Sequence, residues 1–161
     1  MRRFILFILF VFISHLEASY TFDETFLIPF EEKNIWKKVK ESADDNGSSI
    51  SHFIGEEENG ANWPELLTIQ FKDSHLIEGS TAEEAMISEQ KKSPLVKWQI
   101  IRNDPNDVIY ERFFPKGEHE LVRMIMTKKG LHRAAYLKQK AFNENEKTAH
   151  IHCLIKGTIH H

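Results

Sequence analysis

Residues 96–138, VKWQIIRNDPNDVIYERFFPKGEHELVRMIMTKKGLHRAAYLK, decide the fold class of this chain. Val96, Trp98 and Ile100 alternate with Lys97 and Gln99, the two-residue period of a half-buried strand. Asn103-Asp104-Pro105-Asn106-Asp107 then turns the chain. Val108 to Phe114 returns with Tyr110, Phe113 and Phe114, and Pro115-Lys116-Gly117-Glu118 turns it again. Glu120 to Thr127 and Leu131 to Lys138 flank Lys129-Gly130 as a further hairpin. Val122/Met124/Met126 and Leu121/Ile125 are both plausible buried sets there. Strands that follow one another through short turns pair antiparallel, because a parallel pair needs a long crossover.

The same pattern extends upstream. Asp44-Asp45-Asn46-Gly47 is a hairpin turn, since Asn-Gly tolerates the positive φ that tight turns require. It joins a strand at Trp36 to Glu41, where helical spacing competes, to a β-rich run at Ser49 to Ile54. The acidic stretch Gly55 to Ala61 reads as a loop, and Leu66 to Lys72 as a strand. Pro29 limits the lead-in Ser19 to Phe30 to an edge strand or an extended arm. Two helices interrupt the strands. One begins at Ser80-Thr81-Ala82-Glu83, read as a capping box with Ser80 as the cap, and ends before Pro94. The other begins at Asn143 with Glu146 as its capping partner. It carries an inward stripe of Ile151, Leu154 and Ile155, and stops at Gly157. The expectation is an α+β domain: a single antiparallel sheet of six or seven strands, with two helices packed on it in one layer.

The start of the chain carries a different signal. Met1-Arg2-Arg3 is basic, Phe4 to Ile13 contains no polar residue, and Ser14 to Ser19 turns polar and small. That order matches a secretory signal peptide with cleavage after Ala18. The apolar run is about half the ~20 residues a spanning helix needs. The expected division is therefore 1–18 signal peptide and 19–161 a single domain. The 143 residues left form one domain of ordinary size. Loss of Arg2, Arg3 and Glu17 moves the net charge from −3 to −4. Such a mildly acidic chain is expected to bind neither nucleic acid nor, after cleavage, a membrane, because both attract clustered cations. Cys153 is the sole cysteine, so no internal disulfide can form, and the domain must hold itself together by packing or else use Cys153 between chains.

Candidate chemistry is sparse. Metal binding could use His150 and Cys153, i and i+3 on one helix face, but four ligands at set spacing are missing and no metal or cofactor is expected. His160-His161 reads as a frayed end. His119 and His132 flank the 120–138 hairpin, and either could serve as a general base if Glu111 or Asp107 oriented it. Glu118 and Glu120 adjoin His119 but point to the opposite face of its strand. Adjacent acids such as Glu56-Glu57-Glu58 read as solvated surface. No Ser stands in a nucleophile elbow, so no catalytic residue is assigned. Trp63, Trp36 and Tyr110 are the aromatic candidates for a binding surface.

Ile54-Gly55-Glu56 followed by Asn62-Trp63-Pro64-Glu65-Leu66-Leu67-Thr68-Ile69-Gln70 resembles a pattern in small uncharacterised exported proteins of Gram-negative bacteria, an Asn-Trp-Thr-Glu…Thr-x-Gln strand motif. Val96-Lys97-Trp98, Asp107-Val108-Ile109-Tyr110-Glu111 and Gly130-Leu131-His132-Arg133 are similar to later pieces of it. Pro64 stands where Thr is expected, and the Pro-x-Gly-Glu turn is reduced to Gly55-Glu56. The resemblance implies an exported bacterial α+β domain with no known activity. The order of helix and antiparallel strands also resembles the PsbP-like sandwich, at the level of fold only. The functional expectation is an exported, non-catalytic domain, periplasmic or secreted, that binds a protein or small ligand. The alternatives are a small secreted hydrolase or metal-dependent enzyme, and a secreted effector acting on a host cell.

Overall fold

In a computed structural model, residues 24–29, 36–55 and 64–160 are described. The expected signal peptide, the loop acids Glu56-Glu57-Glu58, Trp63 and His161 lie outside them. Strand β1 spans Thr25–Leu27, β2 Trp36–Asp44, β3 Ser48–Gly55 and β4 Glu65–Asp73. Helix α1 (Ala82–Lys92) leads into β5 (Lys97–Asp104), β6 (Asp107–Phe113), β7 (His119–Met126) and β8 (Gly130–Lys138). Helix α2 (Glu144–Lys156) and β9 (Thr158–His160) follow.

Seven strands form one antiparallel sheet in the order β2-β3-β4-β8-β7-β6-β5. It consists of two meanders, β2 to β4 and β5 to β8, zipped together where β4 meets β8 from Glu65↔Lys138 to Asp73↔Gly130. Gly130 is needed at the end of that zipper. A Cβ there would meet the Lys72 carbonyl oxygen at 2.1 Å, so only glycine lets the two backbones approach. The 44–47 turn is as expected: Gly47 has φ of 87° and its N–H donates to the Asp44 carbonyl at 3.1 Å. The sheet with two helices is the α+β fold expected.

The helices do not share a layer. Leu121, Ala134 and Tyr136 pack with Cys153 and Leu154 of α2. Their strand neighbours Val122 and Ala135 pack with Ala82, Ala85 and Met86 of α1. Successive strand residues face opposite ways, so α1 and α2 lie on opposite faces of the sheet. Both candidate faces of the β7–β8 hairpin are therefore buried, and alternation cannot mark one of them as solvated.

Local readings shift in five places. Thr81, not Ser80, caps α1, accepting from the Glu84 N–H at 3.1 Å, while the Glu84 carboxylate takes the Ser80 N–H. The inward face of α2 is His150, Cys153 and Leu154, with Ile155 47% exposed. Gly157 ends α2 in an extended conformation with negative φ. Its missing side chain makes room for Phe26, whose ring would meet a Cβ at 2.6 Å. His160 is not frayed: it closes β9, which pairs with β1 through Thr25↔His160. On the outer strand β5 a bulge between Ile100 and Arg102 breaks the alternation, and Ile100 and Ile101 are exposed.

Candidate functional site

The α2-side face of the sheet is covered unevenly. Helix α2 and the β1–β9 ribbon close it over β7 and β8. Beyond β1, no helix or strand among the described residues covers the sheet over β3 and β4, and a cleft of about 420 Å³ lies there. Its floor is Phe53, Ile69 and Phe71, every second residue along two strands, as period-two alternation requires. The arm Glu24–Ile28 forms one wall, and Lys38 and Glu41 of β2 form the other. Lys38 donates to Glu41 at 3.0 Å, and the Ser51 hydroxyl donates to the same carboxylate oxygen at 3.1 Å. The Lys38 ammonium stands 5.9 Å from the centre of the Phe53 ring. An apolar floor with polar groups at its rim is the usual chemistry of a binding cleft.

His132 borders this cleft, but as an anchor. Its Nε2 lies 2.9 Å from the Glu24 carboxylate, which also accepts from the Thr127 hydroxyl at 2.6 Å. His132 is only 1% exposed and its ring lies tilted against that of Phe71, 4.8 Å between centres. This buried pair fastens the arm to the sheet. The partners stand 108 positions apart in sequence, so no local spacing announces them.

His119 and Glu111 do converge. His119 Nδ1 lies 3.3 Å from one Glu111 oxygen, and Lys147 of α2 holds the other at 2.5 Å. Register sets His119 opposite Lys138 and His132 opposite Ile125 on the same ladder. The two histidines are six residues apart along β7 and β8, roughly 20 Å, and cannot act together. Asp107 takes a bidentate pair from Arg123 at 2.8 and 2.9 Å and a third contact from Arg102 at 3.2 Å. The Arg123 guanidinium also donates to the carbonyls of Leu154, Ile155 and Gly157, where α2 ends and its dipole favours a cation. Asp107 thus ties the sheet to the helix end.

The aromatic candidates differ in fate. Tyr110 is fully buried beneath α1 against Trp98 and offers no surface, a correction to its reading as a surface aromatic. Its hydroxyl donates to Glu89 at 3.2 Å, and burial pushes its pKa well above the usual tyrosine value. Strand period alone made Tyr110 eligible; α1 covers its face. Trp36 is half-buried at the start of β2, its ring 5.8 Å from Tyr136. His150 stacks on Tyr136 at 4.3 Å with its Nε2 2.5 Å from Glu65, and Cys153 is buried in the core under α2. His150 is therefore bound to a carboxylate and an aromatic ring. Among the described residues no three metal-ligating side chains cluster.

On the α1 face the sequence reading missed a charged network. Arg112 and Arg133 both donate to Glu120, and Arg112 reaches Glu89 at 3.2 Å. Burial would raise the Glu120 pKa, but the two guanidiniums outweigh it and hold the carboxyl below its ordinary value. No signal short of the β6–β7–β8 register could have joined residues 112, 120 and 133. Among the described residues no helix is long and apolar enough to cross a membrane. The chain matches no protein-family model, no curated protein and no solved structure.

Proposed function

We propose that this protein is an exported binding domain, non-catalytic, working in the periplasm or after release, with its ligand held in the cleft between the 24–28 arm and β2. The cleft carries the reading. It is apolar on its floor, polar at its rim, and of the size that small ligands use. Export rests on Met1-Arg2-Arg3, the apolar run Phe4 to Ile13, and the small residues up to Ala18. The bacterial resemblance agrees with it. The hydrolase reading has one contact in its favour, His119 with Glu111. Lys147 neutralises that carboxylate from the other side, so the pair is better suited to holding α2 on the sheet.

Two measurements test this. Fractionation with N-terminal sequencing should find the chain outside the cytoplasm, beginning at Ser19; an intact chain retaining Met1 in the cytosol overturns export. The fluorescence of anilinonaphthalene sulfonate should rise on adding the protein, and Ser51→Trp, which fills the cleft, should abolish the rise without lowering Tm. An unchanged signal in that variant places apolar binding elsewhere and removes the cleft from the argument.

A further inference from the structure

We infer that Asn46 is a site of N-linked glycosylation, carrying an oligosaccharide transferred to it from a lipid pyrophosphate carrier. The inference rests on export and does not involve the cleft. Three observations carry it. First, Asn46-Gly47-Ser48 is the acceptor sequence Asn-x-Ser/Thr with x other than Pro, and no other asparagine of the chain stands in it. Second, the chain opens with the basic, apolar and small-residue order of a secretory signal, which brings an acceptor to the membrane face where such transfer occurs. Third, the β2–β3 hairpin holds Asn46 exposed at its tip, between Asp44 at the end of β2 and Ser48 at the start of β3. A bulky sugar there displaces nothing from the core.

A turn role explains only part of this sequence. The Asn46 side-chain oxygen accepts from the Ser48 N–H at 3.2 Å, and Gly47 supplies the positive φ. Neither feature uses the Asn46 amide nitrogen or the Ser48 hydroxyl. Among the described residues neither of those groups makes a hydrogen bond, and they are the two that the transfer needs. Ser48 stands in the ladder between Asp44 and Lys72, a place that asks only for its backbone.

The step needs no oxidant or reductant. Asn46 Nδ2 attacks the anomeric carbon of the donor's first sugar. The new N–C bond replaces the C–O bond to the pyrophosphate, and the lipid pyrophosphate leaves with that electron pair. One amide proton passes to a base of the membrane-bound transferase, which holds the acceptor by the Ser48 hydroxyl. Bacterial transferases of this class also require an acidic residue at the second position before the asparagine, and Asp44 stands there. The transferase of the endoplasmic reticulum does not require it.

The test uses the chain as isolated from its producing cell. It is digested, and the peptides containing the N-terminus and Asn46 are sequenced by tandem mass spectrometry. A mass excess of whole sugar residues on Asn46 is expected, in a chain beginning at Ser19. Ser48→Thr should keep the excess, and Ser48→Ala and Asn46→Gln should lose it. Ser48→Ala leaves Asn46 and its bond to the backbone of residue 48 in place, so a loss there reads the transfer and not the turn. Asp44→Asn separates the two sources. Loss of the sugar in that variant assigns a bacterial-type transferase, retention assigns the endoplasmic reticulum, and either agrees with the inference. Unmodified Asn46 in a chain that begins at Ser19 overturns the glycosylation and leaves export standing. Sugar that persists in Ser48→Ala overturns the acceptor sequence. An unmodified chain that retains Met1 overturns both readings.

Discussion

Glu120 shows how much a single residue can decide. Its carboxylate holds Arg112 and Arg133, and all three side chains are largely out of water. An ion pair of this kind adds little net stability against an apolar substitute, but breaking it is costly because charge is left stranded. Glu120→Gln should therefore destabilise the fold by about 3 kcal/mol, read from urea denaturation. The pH dependence follows from the depressed folded pKa. The stability Glu120 contributes is fully present above the unfolded carboxyl pKa and is lost as pH falls through the lower folded value. The wild type should thus lose stability on acidification below about pH 4, and Glu120→Gln should lose less over the same window. An equally steep acid limb in both proteins would show that Glu120 does not drive the loss.

At the scale of the element, α2 was the most legible part of the chain. Asn143 accepts from the Glu146 N–H at 2.9 Å and the Glu146 carboxylate accepts from the Asn143 N–H at 3.0 Å, the reciprocal box that the three-residue spacing promised. Asn143→Ala should cost about 1 kcal/mol, and Asn143→Ser should restore most of it, measured by thermal or urea unfolding. The apolar stripe of α2 was less legible. Ile155 was expected inside and is exposed, whereas His150 is inside, stacked on Tyr136 and facing Glu65. A polar side chain can be buried when a carboxylate and a ring receive it, and neither receiver lies near residue 150 in sequence. The α1 cap slipped by one residue because Ser80 and Thr81 are both good caps; the Thr81 hydroxyl won by reaching the Glu84 N–H.

Across the whole molecule the short arm at Glu24–Ile28 matters out of proportion to its length. Phe26 and Ile28 enter the α2-side core, Glu24 closes on His132 and Thr127, and the same segment walls the cleft. Phe26 also lies 5.8 Å from the Arg123 guanidinium and in the space left by Gly157. Phe26→Ala should cost about 3–5 kcal/mol and raise hydrogen exchange in β9, which has no strand partner but β1 among the described residues. A loss below about 1 kcal/mol would show the arm to be an accessory to the fold.

The local chemistry of the chain determined most of its elements without help. Asn46-Gly47, Pro105-Asn106 and Lys116-Gly117 mark turns because few residues accept their backbone angles or pre-set them. Alternation wrote the strands, and polar side chains three residues apart wrote the helix starts. These signals act over a few residues and survive in the isolated sequence. Tertiary structure decided which face each helix covers, how β4 meets β8, where Tyr110 and His150 lie, and that Glu24 finds His132. Those outcomes depend on contacts between segments far apart in the chain. Both faces of β7 and β8 are covered, so the polar–apolar contrast that would reveal a partner is erased there. Among the described residues α2 and the arm leave part of β3 and β4 uncovered, a property of relative lengths and placements that no single stretch of residues encodes.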